Sequence, residues 1–218
     1  MVRIAFFDFD GTMSKGDSLF AFVAFVHGRK RLYFGLLARF WILLGFMLGL
    51  VSNTYAKQCL MHYFFAGMRY EDFLGYCECF CAVLERRLKP AALERLLWHK
   101  DRGDRLVMVS ASFEEYLAPL CKKLGMDCIA TRLETIQEFD LDSRSQCQIE
   151  SIDNSKPAST RYLSGFFATP NCYGKEKLIR IKASYDLSAY DEIYAYGDSK
   201  GDKEMLSIAT HAFYRSFT

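Results

Sequence analysis

The sequence has almost no excess of charge of either sign. Its 218 residues include 28 lysines and arginines against 26 aspartates and glutamates, so the formal net charge is only +2. This balance excludes a basic footprint spread over the whole chain, and we expect no nucleic-acid partner. Hydrophobic residues at 51% and charged residues at 25% exclude a disordered or collagen-like chain. The length exceeds the usual ~150 residues of one domain, which indicates one substantial core with a smaller appendage.

Signals for secretion, for a structural metal and for repeats are also missing. The first apolar run, residues 4–7, stops abruptly at Asp8, so we expect no signal peptide and a cytoplasmic protein. Among the eight cysteines, Cys77, Cys79 and Cys81 have a spacing that scatters them over different faces of a helix. That spacing suits neither a zinc site nor a disulfide framework, and we therefore expect reduced thiols. We find no internal repeat.

What the sequence does contain is a set of short apolar runs separated by helical patterns. We predict β-strands at residues 2–7, 105–110 and 192–197. Such an alternation is typical of an α/β protein with a doubly wound, Rossmann-like parallel sheet. In these sheets ligands bind beyond the carboxyl ends of the strands. Asp8, Ser110 and Asp198 each stand at such an end, so we expect the polar chemistry to collect at one edge.

Between the first two strands lie roughly 90 residues that read as helical throughout. We predict helices over residues 19–27, 32–51, from 53 or 54 onward, over 70–87, and from Pro90 onward. We also predict a helix over residues 113–124 that stops at Gly125. The expected domains are a catalytic core of residues 1–14 plus 100–218 and an all-helical cap of residues 15–99, inserted after the first strand. The polar stretch 137–160 is interpreted as an irregular insertion or flap.

Two aspartates at the end of the first strand give the strongest functional signal. Asp8 and Asp10 are two residues apart and precede a turn, so both carboxylates can face one cavity. There they could bind magnesium and act as a nucleophile with an acid/base partner. A strand-terminal turn with a helix cap is the alternative. A second functional signal is the Gly/Asp-rich stretch 197–202, which could instead be a solvated loop without a functional role. Ser110 and the lysines near residue 175 are weaker alone, since strand-end serines often cap helices and lysines are often solvated.

The order and spacing of these four segments resemble the four motifs of the haloacid dehalogenase superfamily, in its phosphoserine-phosphatase-like branch. The resemblance covers residues 1–14 and about 100–218, and it implies Mg²⁺ as the cofactor. The roles it implies are nucleophile for Asp8, general acid/base for Asp10, phosphate binding for Ser110, Ala111, Gly11 and Thr12, and magnesium binding for Asp8, Asp10, Asp198 and Asp202. Asp10 favours a phosphatase, because the dehalogenase members lack that acid.

The resemblance also implies a lysine near Asp8. An alignment with phosphoserine phosphatases, made without gaps backward from Asp198, favours Lys175 as this lysine. The pattern Cys172-x-Gly174-x-x-Lys177 resembles a related branch that includes phosphatidylglycerophosphate phosphatase, and it favours Lys177, which we prefer. Gly201 stands where phosphoserine phosphatases usually have Asn, which weakens a claim for phosphoserine specifically.

The helical insertion corresponds to the cap that selects the substrate in this branch. Asp17 matches an acidic, substrate-facing position there, although an N-cap of the first cap helix is the simpler interpretation. Ser112 could bind the phosphate or head group, or cap a helix. Residues 32–51 carry one charge, Arg39, and are just long enough to cross a bilayer, but a single crossing would separate Asp8 from Ser110. A helix buried in the cap and a helix in the membrane interface, beginning at basic residues 29–31, both remain open.

We therefore expect a magnesium-dependent phosphomonoester hydrolase that works through a phosphoaspartate on a small phosphorylated metabolite such as phosphoserine. The alternatives are a phosphatase of lipid phosphates at the inner face of the membrane, a non-catalytic phosphate-binding module, and a phosphotransferase. Peripheral membrane contact through the cap is an open alternative to a purely cytoplasmic location.

Overall fold

The computed structural model describes residues 1–137 and 160–217. The strands are β1 Arg3–Phe7, β2 Arg105–Phe113, β3 Asp127–Thr131, β4 Leu133–Gln137, β5 Arg161–Phe167, β6 Glu192–Gly197 and β7 His211–Tyr214. The helices are α1 Ser18–Ala38, α2 Phe40–Met47, α3 Asn53–Phe65, α4 Tyr70–Arg87, α5 Pro90–Asp101, α6 Glu114–Leu124, α7 Lys175–Ser184 and α8 Lys203–Leu206. Short 3₁₀ helices cover Leu187–Ala189 and Lys200–Asp202.

Five strands form one sheet in the order β3-β2-β1-β6-β7. Every neighbouring pair in it is parallel. Because β1 lies between β2 and β6, the strands that carry the predicted motifs are adjacent, and their carboxyl ends meet at the same edge. The predicted doubly wound α/β core with a helical insertion after its first strand is confirmed.

Alternate side chains of the central strands pack into two separate hydrophobic cores, one on each face of the sheet, because successive side chains of a strand point to opposite faces. On one face, Ala5 and Phe7 belong to a cluster that also contains residues of α1, α3, α4, α5 and α6. On the other face, Ile4 and Phe6 pack with Ile181 of α7 and residues of α8. Since both faces are covered, the strands are apolar along their whole length, which is why the sequence shows continuous apolar runs.

The insertion between β1 and β2 is helical, as predicted, but its first half is divided differently. Residues 32–51 are not one helix: α1 continues to Ala38, Arg39 leaves helical geometry with φ −109° and ψ 16°, and α2 spans only Phe40–Met47. A kink at Gly28, with φ 82° and ψ 156°, divides α1. In the described part of the chain, no helix combines the length and the apolar character needed to span a bilayer.

A two-stranded antiparallel sheet of β4 and β5 was not predicted, and it packs on α3. Gly165 of β5 has φ 84°, and a Cβ at this position would overlap the backbone of His62 in α3. The close approach of strand and helix therefore requires glycine here. The polar flap predicted over residues 137–160 lies outside the described residues, apart from its ends Gln137 and Thr160.

Candidate active site

Asp8 follows the carboxyl end of β1, and its carboxylate is bound by Lys177 from α7. The Lys177 Nζ donates to Asp8 Oδ1 at 2.7 Å, to Asp202 Oδ1 at 2.6 Å and to the backbone carbonyl of Val109 at 2.8 Å. All three donors of the ammonium group are thereby used. Lys177 is only 1% exposed, so it is a buried cation held between two carboxylates.

The segment before Lys177 explains how this lysine reaches Asp8. Cys172 is fully buried among the apolar residues behind the sheet. Gly174 has φ 62° and donates its backbone N–H to the carbonyl of Gly201, which fixes the start of α7 beside the last motif. Lys177 then points inward, whereas the competing candidate Lys175 is exposed. Two residues correspond to about 200° around a helix, so only one of these lysines can face Asp8.

The loop after β6 is organised by the carboxylate of Asp202. Its Oδ2 accepts from the backbone N–H groups of Asp198 at 3.2 Å and Ser199 at 3.0 Å, and from the Ser199 hydroxyl at 2.8 Å. Since Oδ1 is bound by Lys177, Asp202 ties the lysine to the loop that holds Asp198. Asp202 is fully buried, which is tolerated because both oxygens have partners.

Asp8, Asp198 and Asp202 form a group of carboxylates that could hold a metal ion, with ligand oxygens all within 4.8 Å of one another. The Thr12 hydroxyl lies 3.1 Å from Asp8 Oδ2 and 3.4 Å from Asp198 Oδ1. Gly11 has φ 79°, and a Cβ there would overlap the Asp198 carboxylate. An all-oxygen donor set is the kind that Mg²⁺ prefers, so these residues fit the predicted cofactor.

Burial and the lysine act in opposite directions on the charges of this group. Burial raises the pKa of Asp8 to about 7, although Lys177 lowers it. Burial alone would lower the pKa of Lys177, but the carboxylates of Asp8 and Asp202 hold it above its usual range. Burial would raise the pKa of Asp202, yet Lys177 and Ser199 hold it below its usual range. Lys177 therefore stays charged, and a further cation would favour the ionised form of Asp8.

The carboxylate of Asp10 lies in a different network from that of Asp8. The backbone N–H of Ser18 donates to Asp10 Oδ1 at 2.8 Å, and the hydroxyls of Ser18 and Ser112 donate to Oδ2. The Ser18 hydroxyl also lies 3.0 Å from the hydroxyl of Tyr116. Burial raises the pKa of Asp10, and the charge of Asp17 raises it further. The Asp10 carboxylate is not in the acidic group, so its part in metal binding stays a prediction.

Strand β2 brings the predicted phosphate-binding residues to the same edge. Ser110 is buried, and its hydroxyl accepts from the backbone N–H of Ser112 at 3.1 Å. The carbonyl of Ala111 accepts from Lys57 Nζ at 3.2 Å. Lys57 belongs to α3 of the cap, and burial lowers its pKa while the charges of Asp17, Asp10 and Asp8 raise it. Sequence reasoning missed this cation, because its place depends on how α3 folds back over the strand ends.

The two residues predicted to face the substrate have clear structural partners. Asp17 is the N-cap of α1, accepting from the backbone N–H groups of Leu19 at 2.8 Å and Phe20 at 3.2 Å. Ser112 caps no helix, because α6 begins after Phe113 with no side-chain cap; its hydroxyl binds Asp10 instead. Direct contact of either residue with a substrate stays a prediction.

The absence of a side chain at Gly201 is explained by a neighbouring ring. A Cβ at Gly201 would overlap the ring of Tyr173, so this tyrosine occupies the space where an asparagine would need to fit.

A cavity of about 290 Å³ borders the site and is lined by Gly11, Asp198 and Lys89, among others. A larger cavity of about 530 Å³ lies between α4 and α6 and contains none of the motif residues.

The fold and the site define a capped α/β protein with a carboxylate–lysine group at the ends of its central strands. The chain belongs to the haloacid dehalogenase-like hydrolase family, whose model matches residues 5–207. The predicted superfamily is thereby confirmed. "Protein CicA" of Caulobacter vibrioides is 30% identical over 219 residues, covering 97% of this chain and 85% of that protein.

Solved structures show the same fold at low sequence identity. A protein from Bordetella pertussis Tohama I, described as of unknown function, has a TM-score of 0.73 at 19% identity, covering 96% of this chain and 88% of that one. A phosphoserine phosphohydrolase-like protein from Francisella tularensis has a TM-score of 0.59 at 19% identity, covering 98% and 86%. A substrate-bound phosphoserine phosphatase has a TM-score of 0.56 at 16% identity, covering 96% and 83%. These likenesses show that the chain shares its fold with these proteins.

Proposed function

We propose that the protein is a magnesium-dependent phosphomonoester hydrolase that works through a phosphoaspartate at Asp8. The observation that carries the proposal is the buried Lys177, held 2.7 Å from Asp8 and 2.6 Å from Asp202 beside a third carboxylate, Asp198. Phosphoryl transfer needs a placed nucleophile and compensation of spread negative charge more than it needs difficult covalent chemistry. A carboxylate with an adjacent buried cation at a strand end supplies both.

The first step forms the phosphoaspartate. An Asp8 oxygen attacks phosphorus in line with the ester bond, the bond from phosphorus to the leaving oxygen breaks, and protonated Asp10 gives its proton to that oxygen. The raised pKa of Asp10 suits this acid role. Asp8, Asp198 and Asp202 would hold Mg²⁺, which screens the repulsion between the Asp8 carboxylate and the phosphate dianion.

The second step releases phosphate. Asp10, now ionised, takes a proton from a water molecule, and the water oxygen attacks the phosphorus of the phosphoaspartate. The bond from phosphorus to Asp8 breaks, inorganic phosphate leaves, and both carboxyl groups return to their starting forms. Lys177 and the hydroxyl of Ser110 compensate charge on the phosphoryl oxygens in both steps.

A small phosphorylated metabolite such as phosphoserine is the substrate we propose first, because the fold is shared with phosphoserine phosphatases. A lipid phosphate is the second candidate. It is favoured by α2 of the cap, an apolar helix without a single buried residue. Hydrolysis of a panel of phosphorylated metabolites and of lipid phosphates in mixed micelles would rank the two classes.

Replacing the nucleophile tests the mechanism. We expect Asp8→Asn to abolish magnesium-dependent hydrolysis of a nitrophenyl phosphate, because a neutral amide is a poor nucleophile and a poor metal ligand. In the native protein, borohydride reduction during turnover should convert the acyl phosphate at Asp8 to an alcohol detectable by mass spectrometry. Full activity of Asp8→Asn would refute the mechanism. Binding of phosphate without turnover by the native protein would instead indicate a phosphate-binding module.

A further inference from the structure

The cap presents large apolar side chains to solvent within a short stretch of chain. From the second half of α1 through α2 to the turn after it, seven of them are between 64% and 80% exposed. We call this set the apolar face; it consists of Tyr33, Phe34, Leu37, Trp41, Met47, Leu48 and Leu50. An exposed set of this size and composition is unusual for a monomeric protein and marks an interaction surface.

The opposite side of the same segment is packed, so the segment is held in place. Leu32 belongs to the main core, and Leu36 and Leu43 pack against it. A Cβ at Gly35 would overlap the ring of Phe64, which shows how closely α1 lies on α3. The apolar face is therefore the solvent-exposed side of a segment whose other side is packed against the core.

The stretch of sequence that carries this face has charges of one sign. From residue 18 to residue 70 the sequence contains six basic residues and no aspartate or glutamate, although the whole chain has 26 of these acids. Three of the basic residues are consecutive, Arg29, Lys30 and Arg31, and all three are exposed directly after the kink at Gly28. Arg39 lies between α1 and α2, and its guanidinium group stacks on the ring of Tyr63.

We propose that the apolar face docks into the interface of a lipid bilayer that contains anionic lipids. Apolar and aromatic side chains beside a basic cluster are what an interfacial helix uses, since the former enter the acyl boundary and the latter meet anionic head groups. A second copy of the chain fits poorly. A symmetric dimer would bring each basic cluster close to the other, with no acid between residues 18 and 70 to neutralise them.

Vesicle sedimentation tests the proposal without relying on catalysis. The protein should bind vesicles of phosphatidylglycerol and phosphatidylcholine, bind vesicles of phosphatidylcholine alone much less, and lose binding as salt rises. Changing Arg29, Lys30 and Arg31 to Gln should weaken binding by roughly 100-fold. The matched control changes three exposed lysines elsewhere, Lys100, Lys122 and Lys182, and should bind like the native protein.

The apolar part of the face has its own variant pair. Leu37→Glu with Leu50→Glu should weaken vesicle binding by at least about 10-fold, because the apolar contacts are replaced by like charges facing anionic lipid. The control pair is Leu97→Glu with Ile179→Glu, whose side chains are 48% and 58% exposed on other parts of the surface. All variants should melt near the native temperature and hydrolyse a soluble nitrophenyl ester at the native rate, so loss of catalysis and loss of docking are separable.

The two tryptophans of the chain provide a direct probe of the contact. In Trp98→Phe, the remaining Trp41 should shift its emission to shorter wavelength and become protected from acrylamide when anionic vesicles are added. In Trp41→Phe, the remaining Trp98 should not respond. The proposal is overturned if Trp41 does not respond, if both vesicle types bind equally, or if the protein is a dimer that protects Trp41 without lipid.

Discussion

Lys177 has almost no solvent contact, and its ammonium group lies between the carboxylates of Asp8 and Asp202. Burying a cation is costly, and this arrangement is stable only because all its donors are satisfied. The same arrangement places a positive charge where a phosphoryl group would meet Asp8. The ammonium group of Lys177 can lower the barrier to phosphoryl transfer only if its charge is held beside Asp8. The hydrogen bonds to Asp8, Asp202 and the Val109 carbonyl hold it there.

Lys177→Ala should lower the rate on the order of 100-fold or more, because the charge that compensates the transition state is lost. Lys175→Ala is the matched control on the same helix and should change the rate little, since Lys175 is exposed. Activity should be assayed well below the melting temperature, because removing one partner of a buried ion pair also destabilises the fold by about 3–5 kcal/mol. A greater loss of rate in Lys175→Ala than in Lys177→Ala would show that Lys175, and not Lys177, is the catalytic lysine.

Asp10→Asn should slow the reaction most for substrates with poor leaving groups. An alkyl phosphate requires a proton on its leaving oxygen, whereas a nitrophenolate leaves without one. The amide oxygen can accept from the Ser18 backbone N–H, and the amide nitrogen can donate to the hydroxyls of Ser18 and Ser112, so the local structure should persist. We expect a much larger fall in kcat/KM for the alkyl ester than for the nitrophenyl ester. Equal losses on both would contradict the acid role.

The residues of the site that could be predicted from sequence are those at strand ends. Asp8 and Asp198 follow apolar runs directly, and parallel strands bring such ends together whatever the loops do. Lys177 could be chosen over Lys175 only through a local pattern, because the choice depends on which face of α7 is inward. Lys57 carried no signal, since its position depends on packing between α3 and the core rather than on neighbouring residues.

At the scale of secondary structure, single residues decide where elements begin and end. The predicted bounds of α4 and β6 are confirmed, because charged or turn-forming residues flank them. The prediction failed at residues 32–51, because the apolar pattern continues on both sides of Arg39 and a single charged residue does not by itself mark the end of a helix. Strands β4 and β5 were missed because they are short and half-exposed, and their pairing spans the long connection between residues 137 and 161.

The junction of α5 with the sheet contains a buried histidine whose titration couples to stability. His99 is fully buried, with Nδ1 2.8 Å from Asp104 Oδ2 and Nε2 2.9 Å from the Tyr196 hydroxyl. Burial lowers the pKa of His99, although Asp104 opposes this. Between that lowered pKa and the ordinary value of about 6.5, the unfolded chain binds more protons than the folded one. The contribution of His99 to the free energy of unfolding should therefore fall as pH drops below about 6.5.

His99→Gln should flatten this pH dependence, because glutamine does not titrate and can still form hydrogen bonds to both neighbours. Denaturant unfolding at a series of pH values between neutral and mildly acidic would measure the slope. Burial also lowers the pKa of His27, whereas the raised pKa of Asp8 acts in the opposite direction, so the native slope contains all three groups. The difference in slope between the native protein and His99→Gln measures His99, and His27→Gln is the comparison. Parallel curves for the native protein and His99→Gln would show that His99 does not contribute.

At the scale of the whole molecule, cap and core share one continuous apolar cluster. Phe22 of α1 lies 5.1 Å from Tyr116 of α6 between ring centroids, and it also packs on Phe65 and Phe80 of the cap. A cap joined to the core by buried rings holds its inner polar groups over the strand ends. Lys57 is a charged member of this inner surface, and its contact with the Ala111 carbonyl joins α3 to β2.

Lys57→Met should weaken substrate binding more than it slows chemistry. A charged hydrogen bond contributes about 1.5–3 kcal/mol, so KM for an anionic phosphate ester should rise by roughly 10-fold or more with a smaller change in kcat. The fold should tolerate the change, because Thr131 also donates to the Ala111 carbonyl and a buried charge is removed. Lys57→Arg keeps the charge and should recover most of the affinity. If kcat falls while KM stays constant, Lys57 acts on the transition state instead, and the cap contributes to the chemistry itself.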